Sequence, residues 1–460
     1  MLSYLLRRAL LMVPTLFGIT LVVFVVMASA PGGLTAQSLV EGNNLEPEAR
    51  KALEDYYNRL YGLDQPASVQ YLRWLNNISP VGFERRADGS LGDFSLTKGP
   101  DLGLSFRYGR PVTDLLAERL PITLLLNLLS IPLIYAVSIA IGVQAARERG
   151  GRFDVASNVA LLGLWSVPTM LAGVLSIGFF ASEQYWRWFP TGGLVRREAV
   201  DQTFLPWLAS GADVLWMLGA VAVVTSLLVW GVAVAARRPR RVGGAVLGAV
   251  LGYAMAAELS GPVPGVSHGM LALAGAVLLG ALAGIPGKAL RIALAGALGL
   301  VLGVIVARAS GAEVVQAGYL FDRAWHLVLP VIALSYGGLA FLAKLTRASL
   351  LENLAADYAR TARAKGLDEE TVLWRHVFRN SLLPLITVSA TLLPSLLAGS
   401  VIIESLFSID GMGKLAIEAV QTRDRELVLS VTLISGLLTL AGYLLADIAY
   451  AIADPRVSYE

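Results

Sequence analysis

The 460-residue chain is 55% hydrophobic and only 15% charged, against about 25% for a soluble domain. A water-facing surface of that size needs more charge, so lipid is the expected solvent for most of the chain, and 37 basic against 34 acidic residues give no footprint for a nucleic-acid partner. Cysteine is absent and histidine occurs only at 268, 326 and 376, which excludes disulfides and cysteine nucleophiles and leaves no metal cluster; no cofactor is expected.

A bilayer core of about 30 Å needs roughly 20 apolar helical residues. Ten stretches meet or approach this, at 9–30, 121–146, 158–181, 214–236, 242–259, 270–286, 291–309, 327–345, 382–403 and 428–451. The first follows Arg7 and Arg8 and ends at Ala28-Ser29-Ala30. It is longer than the roughly 7–15 residues of a signal-peptide core, and Pro31 hinders cleavage, so a retained helix is expected. With the N-terminus inside, 19 basic residues fall in inside segments and 8 in short outside loops. That bias places both termini in the cytoplasm.

Residues 31–120 then lie outside. Within them EPEARKALEDYYNRL (46–60) reads as a helix, and Pro66 with the Gly and Pro residues from Ser79 to Pro111 marks turns. Trp186, Trp188, Trp207 and Trp325 stand near outer span ends, where interfacial anchoring accounts for them. The stretches GGAVLGAVLGYAMAA, GMLALAGAVLLGALAG and IALAGALGLVLG are rich in small residues at spacings of four. This predicts closely packed membrane helices rather than a binding motif.

The segment from Arg347 to Ile386 is the longest inside loop and rich in charge. Arg347 to Lys365 has helical spacing, no breaker and many alanines. Gly366 interrupts, and Asp368 is the expected N-cap of a second helix that Glu369 and Glu370 favour. Two readings stay open on the residues alone: a docking lever whose small side chains admit a partner, or an amphipathic linker on lipid headgroups.

The strings YARTARAKGL (358–367) and RHVFRNSLLP (375–384) resemble the cytoplasmic coupling loop of ABC importer permeases of the dipeptide/oligopeptide/nickel class, in particular the first permease subunit. MLSYLLRRALLMVPTLFGITLVVFVVMASAPG at the start is similar to that subunit's first span. YGLDQPASVQYLRWL (61–75), GRPVTDLLAERLPITL (109–124), SVPTMLAG (166–173), WFPTGG (188–193), HLVLPVIAL (326–334), SVIIESLFSIDGMGKLAIEAVQTRD (400–424) and DIAYAIADPRVSY (447–459) follow in the family's order. In two respects the chain departs. Arg360-Thr361-Ala362 stand where the general importer signature has Glu-Ala-Ala, and roughly 196–320 is additional to a six-span family fold.

The resemblance implies an all-α membrane protein with a permease core of six transmembrane helices. Four inserted helices bring the total to about ten, and a small extracytoplasmic segment follows helix 1. The expected division is 1–30 for the first span, 31–120 periplasmic, 121–195 for core helices 2 and 3, 196–320 inserted, and 321–460 for core helices 4 to 6 with the coupling loop 347–381. It further implies a multi-pass bacterial inner-membrane protein forming half of a pathway for peptides, nickel complexes or oligosaccharides. The implied partners are a second homologous permease, two ATPase subunits, a periplasmic binding protein and the lipid bilayer.

Tyr358, Ala359, Thr361, Ala362, Ala364, Lys365, Gly366 and Leu367 are the implied ATPase-coupling residues. Asp410, Gly411 and Gly413 form an outer turn or gate. Asn127, Ser130, Thr169, Ser389, Ser395 and Ser400 are pathway candidates that equally suit bonds to their own helix backbone. No catalytic residue is expected. The Walker A pattern is absent, because Gly287-Lys288 and Gly413-Lys414 lack the preceding glycine and the following Ser/Thr, and H-E-x-x-H is absent. The alternative of an ion-gradient carrier needs mid-membrane relay charges, yet Asp213, Glu258, Lys344, Glu404 and Asp447 lie near predicted span ends.

Overall fold

The computed structural model describes residues 2–29, 46–85, 91–185, 187–204, 207–208, 211–234, 237–259, 268–284, 288–309, 314–316 and 318–453. Helix α1 is Leu2–Ser29, followed by α2 (Pro47–Tyr61) and α3 (Ala67–Ile78). A small antiparallel hairpin, β1 (Gly82–Arg85) with β2 (Leu91–Ser95), pairs Gly82 with Ser95 and Phe83 with Phe94. Then come α4 (Val112–Arg147), α5 (Arg152–Ser166), α6 (Thr169–Phe180) and the single turn α7 (Arg197–Val200). Strand β3 (Trp207–Leu208) leads to α8 (Gly211–Val234), α9 (Arg237–Leu259), α10 (His268–Gly284) and α11 (Lys288–Ala309), and β4 (Val314–Gln316) returns antiparallel to β3. The chain closes with α12 (Tyr319–Ala355), α13 (Asp357–Ala364), α14 (Glu369–Thr371), α15 (Phe378–Leu406), α16 (Met412–Gln421) and α17 (Arg425–Ala453).

Every predicted apolar stretch contains helix. Among the described residues five helices are long and apolar enough to cross a membrane: Arg7–Ser29, Val112–Arg147, Ala212–Gly231, Tyr319–Ala355 and Arg425–Ala451. The bent pair α5 and α6 makes a sixth if it is one span. In the inserted region only α8 passes, because the apolar lengths of α9 to α11 are short.

The stretch predicted as one helix at 158–181 is instead broken by 99° between Ser166 and Thr169. Pro168 explains the break, since the residue before proline is driven out of helical geometry; Val167 is extended at φ −85°, ψ 123°. The Val167 carbonyl freed by the break accepts the Tyr336 hydroxyl at 2.6 Å.

The described residues of the chain divide into two compact units. One comprises Met1–Asn127, Ile386–Ser405 and Asp410–Glu460. Its core joins Val112, Leu115 and Leu116 of α4 to Met412, Leu415 and Ala419 of α16 and to Leu427, Val428 and Val431 of α17. A second cluster sets Phe24 of α1 and Leu429 of α17 against Tyr71 and Trp74 of α3. The Tyr71 hydroxyl meets Thr20 at 2.9 Å, which ties α3 to the first long helix.

The other unit comprises Leu128–Leu385 and Leu406–Ile409. Within it α9 packs on α10 and α8 on α11. The small-residue spacing is used for backbone approach. A Cβ on Gly248 would sit 2.0 Å from the Gly275 carbonyl oxygen, and one on Gly303 would sit 2.5 Å from the Val221 Cα. Trp188 lies against Phe180, and Trp325 stacks on Phe189 and donates to the Trp188 carbonyl at 3.0 Å. Trp186 and the Trp207 side chain lie outside the described residues, as do residues 31–45 of the predicted outer segment.

Candidate functional site

The predicted unbroken helix from Arg347 to Lys365 ends early. Ala356 is extended at φ −68°, ψ 154°, and α13 starts anew at Asp357. Tertiary packing overrides the local preference: Ala359 and Ala362, 0% and 5% exposed, pack with Val143 and Ala146 of α4, Leu350 of α12, and Val372, Leu373 and Val377. These two alanines therefore admit the chain's own helices, which corrects the expectation that all the small residues face a partner. Tyr358, Thr361, Ala364, Lys365, Gly366 and Leu367 are exposed, with Tyr358 at 37% and Leu367 at 38%.

Gly366 ends α13 in the left-handed region at φ +79°, and a Cβ there would meet only open space. Its requirement is conformational, worth about 1–2 kcal/mol for other residues. Asp368 caps the next helix as expected, its carboxylate accepting the Thr371 N–H at 3.0 Å. Hydrogen bonding from the Thr371 side chain, and then from its N–H, holds the Asp368 carboxyl below its usual range. A six-residue π segment, Val372–Val377, then runs into α15 without interruption.

Two ion pairs lie at or beside this segment. Arg347 holds Asp154 with Nε at 2.5 Å and Nη2 at 2.7 Å, and the same carboxylate accepts the Gly150 N–H and the Asn158 amide, each at 2.9 Å. Asp154 is 3% exposed. Arg147 pairs with Glu370, which also accepts Trp374 Nε1 at 3.0 Å. Burial alone would raise the Glu370 carboxyl, but the Arg147 contact outweighs it and the group sits below its ordinary range.

The other cluster lies around α16. Glu404 is fully buried at the end of α15 and takes the Thr123 hydroxyl at 2.7 Å and the Lys414 N–H at 3.1 Å. Thr123 in turn accepts the Met412 N–H at 2.8 Å. The carboxylate therefore serves the positive N-terminus of α16. Glycine is required at 411 and 413 for space: a Cβ at Gly411 would lie 2.5 Å from the Glu404 carboxyl, and one at Gly413 the same distance from the Val401 Cα. Asp410 bridges Arg119 at 3.1 Å and Lys414 at 2.8 Å. Burial opposes these contacts, but Lys414 and Arg119 prevail and hold its carboxyl low.

Asp424 is fully buried before α17 and accepts Ser105 Oγ at 2.5 Å, the Arg107 N–H at 3.1 Å and the Leu427 N–H at 3.2 Å. Burial pushes its carboxyl up, against those hydrogen bonds. Nearby, burial and the bond to Glu418 raise the Tyr108 hydroxyl to about 12.

The two acids have opposite linkage. Asp410 binds fewer protons folded than unfolded, so its stabilisation is present above the ordinary carboxyl range and is lost as pH falls. Asp424 binds more protons folded, so its contribution is fully present at low pH and is lost as pH rises through its raised value. The Asp424→Asn chain should therefore gain melting temperature relative to the wild type between pH 4 and pH 7, as followed by thermal unfolding in detergent. A constant offset across that range would refute the assignment.

Of the pathway candidates, Ser389 and Ser400 bond their own helix, to the carbonyls of Ile386 at 2.5 Å and Leu397 at 2.9 Å. Asn127 donates to the Thr123 carbonyl at 2.7 Å, but among the described residues its Oδ1 has no partner, and neither does the buried Ser130 hydroxyl. The Ser395 side chain lies outside the described residues, and Thr169 opens α6. Asp447, the most ambiguous of the possible relay charges, is paired with Arg8 at 2.9 Å.

Among the described residues no group of acids and histidines is placed to hold a metal ion. One G-x-S-x-G string does occur, Gly265 to Gly269. The last described residues before it, to Leu259, are helical. Gly265, Val266 and Ser267 lie outside the described residues.

The described residues thus combine five or six helices long and apolar enough to cross a membrane with a helix–glycine–helix segment packed on the chain's own helices. Residues 138–459 match the family described as the binding-protein-dependent transport system inner membrane component, and residues 1–127 match the N-terminal membrane-component model of the same systems. The chain belongs to that family, the multi-pass inner-membrane permeases of ABC importers, in which ATP hydrolysis resides in partner subunits and a substrate-binding protein takes part.

It is 28% identical over 460 residues to the oligopeptide transport system permease protein AppB of Bacillus subtilis (strain 168), with both chains fully covered. It is 26% identical over 477 residues to the inner membrane ABC transporter permease protein YejB of Escherichia coli O157:H7, covering 100% of this chain and 99% of that one. The dipeptide transport system permease protein DppB of Bacillus subtilis (strain 168) is 43% identical over 132 residues, 29% of this chain and 43% of its own. These comparisons lend no support to a gradient-driven carrier.

Proposed function

We propose that this permease forms half of a peptide-translocation pathway, beside a second homologous permease, and is driven by two ATPase subunits that grip its coupling loop. The supporting observation is the division of α13 into two faces. Ala359 and Ala362 bind it to the chain, while Tyr358, Thr361, Ala364, Lys365 and Leu367 are left for a partner. Nucleotide-driven closure of the ATPases moves the lever, and the helices rock as rigid bodies. Asp410, Gly411 and Gly413 shape the outer turn of this pathway. Peptide is the proposed cargo because relatives over the full length carry oligopeptide and peptide transport names.

In this reading there are about ten spans with both termini cytoplasmic. Residues 196–320 form an inserted four-helix segment. The periplasmic binding protein docks on 31–120 and on 404–426. The small residues of the insertion support helix packing beside the core.

The direct test places single cysteines at Thr361 and Leu367 in the native membrane and crosslinks them. Adducts to an ATPase subunit, with a second permease in the same purified complex, are the expected result. Crosslinking only to lipid would overturn the coupling assignment. Reporter fusions at 149, 240 and 288 should all read cytoplasmic; an outside reading at any of them would break the span count.

A further inference from the structure

Helix α3 belongs to the segment after α1, whose polarity alone would place it in water. Its contacts place it lower. Arg8 of α1 pairs with Asp447 of α17 at 2.9 Å, and charges near the ends of a span sit at the membrane surface. At about 1.5 Å per residue, a hydrocarbon layer of about 30 Å reaches from Arg8 to the neighbourhood of Ala28 on α1. On α17 the same distance from Asp447 ends near Leu427.

Tyr71 of α3 touches α1 well inside that layer. Its hydroxyl donates to the Phe17 carbonyl at 3.1 Å and meets Thr20 Oγ1 at 2.9 Å. Its ring lies 5.8 Å from that of Phe17 and 5.1 Å from that of Phe24. Thr20 and Phe17 stand about 12–17 Å below Ala28 along the helix. A tyrosine side chain is shorter than that, so α3 itself runs beneath the rim.

The burial of α1 shows what α3 has displaced. Leu10, Val13, Phe17, Thr20 and Phe24 recur at helical spacing and form one stripe. Leu10 and Val13 are exposed, Phe17 is 46% exposed, and Thr20 and Phe24 are buried. The lower part of the stripe is bare for lipid, and α3 covers the upper part.

The two flanks of α3 differ. Successive residues lie about 100° apart on a helix, so Gln70 and Leu72 stand on opposite sides of Tyr71. The Gln70 side is polar: with Arg73, Asn77, Arg425 and Glu426 it lines a cavity at the start of α17, level with the rim. The other side is apolar and uncovered, with Leu72 63% and Val69 39% exposed.

We infer that α3 is an interfacial helix sunk in the leaflet at the C-terminal end of α1, and that lipid acyl chains cover its Leu72 flank. An amphipathic helix at a membrane surface buries its apolar face about 5–10 Å deep and keeps its polar face at the headgroups. The uncovered flank continues a lipid surface already present on α1, because Phe17 is both part of that surface and a ring partner of Tyr71. The inference rests on α1 being a span, and on neither the cargo nor the coupling lever. A binding protein that docks on 31–120 then uses parts of that segment other than this flank.

The chain has no cysteine, so single nitroxide labels can be placed on the purified full-length chain in vesicles of phosphatidylethanolamine and phosphatidylglycerol. The sites are Leu72→Cys, Val22→Cys on the exposed face of α1 and Asp64→Cys, exposed before α3. Leu72 is a surface position, so its label leaves the core untouched. It should behave as Val22 does, open to dissolved oxygen and closed to a water-soluble nickel chelate, at a depth of about 5–10 Å; Asp64 should show the reverse. A Leu72 label as open to nickel as that at Asp64 would put the flank in water, where a binding protein could reach it, and overturn the inference. A label closed to both reagents would mean that protein covers the flank and would overturn it too. In either case a Val22 label in lipid keeps α1 as a span, whereas a Val22 label open to nickel would remove the span and the inference together.

Discussion

Arg347→Ala should destabilise the permease by about 3–5 kcal/mol, because it strands a buried carboxylate that has lost its cation. Asp154 is 3% exposed, and its two oxygens are held by Arg347 at 2.5 and 2.7 Å. The pair fastens the start of α5 to the last third of α12, at the first residue of the proposed coupling loop. Asp154→Ala should cost a similar amount. Replacing both partners with apolar residues of similar volume, Asp154→Leu with Arg347→Met, should restore most of the loss, since neither charge then needs compensation. Thermal unfolding of the four chains in one detergent measures this directly. A double variant as unstable as the singles would show that the ion pair is not the term lost.

Ala362→Asp should abolish uptake, with at least a tenfold loss, while the protein still inserts in the membrane. Ala362 is 5% exposed in the cluster that docks α13, and a carboxylate there has no partner and a large desolvation cost. Helix α13 should come off the chain and become sensitive to protease. Ala364→Asp, on the exposed side of the same helix, should leave the protease pattern unchanged, although it sits within the proposed ATPase contact. Limited proteolysis of the two variants beside an uptake assay separates docking of the lever from its grip. Normal uptake by Ala362→Asp would remove the lever from the mechanism.

The sequence exposed long apolar helices, and with them the membrane class, because helices of this length need only local pattern. The glycine break at 366 and the cap at Asp368 were equally local and matched. What it concealed depends on distant partners. Asp154 and Arg347 are 193 residues apart, and nothing in either neighbourhood announces the pair. The inward face of α13 was hidden because alanine suits both a partner and a core.

Glu404 read as a charge at a span end; its signal was the pair of glycines at 411 and 413, which make sense only once a carboxylate fills the space beside them. The bend at Val167 was within reach, since Pro168 stands in the middle of an apolar run. The apolar run dominated that reading.

The buried Glu404 has a mechanical consequence. Its carboxylate is tethered to the Thr123 hydroxyl and the Lys414 N–H, and the glycines leave no slack around it. Swinging α16 away from the end of α15 would leave a buried carboxyl group without its hydrogen-bond partners, at a cost of about 2–7 kcal/mol. These two helices therefore travel as a single casting. Any opening on this side of the protein is carried by displacement of the joined piece, and the turn between them behaves as a weld rather than as a flap.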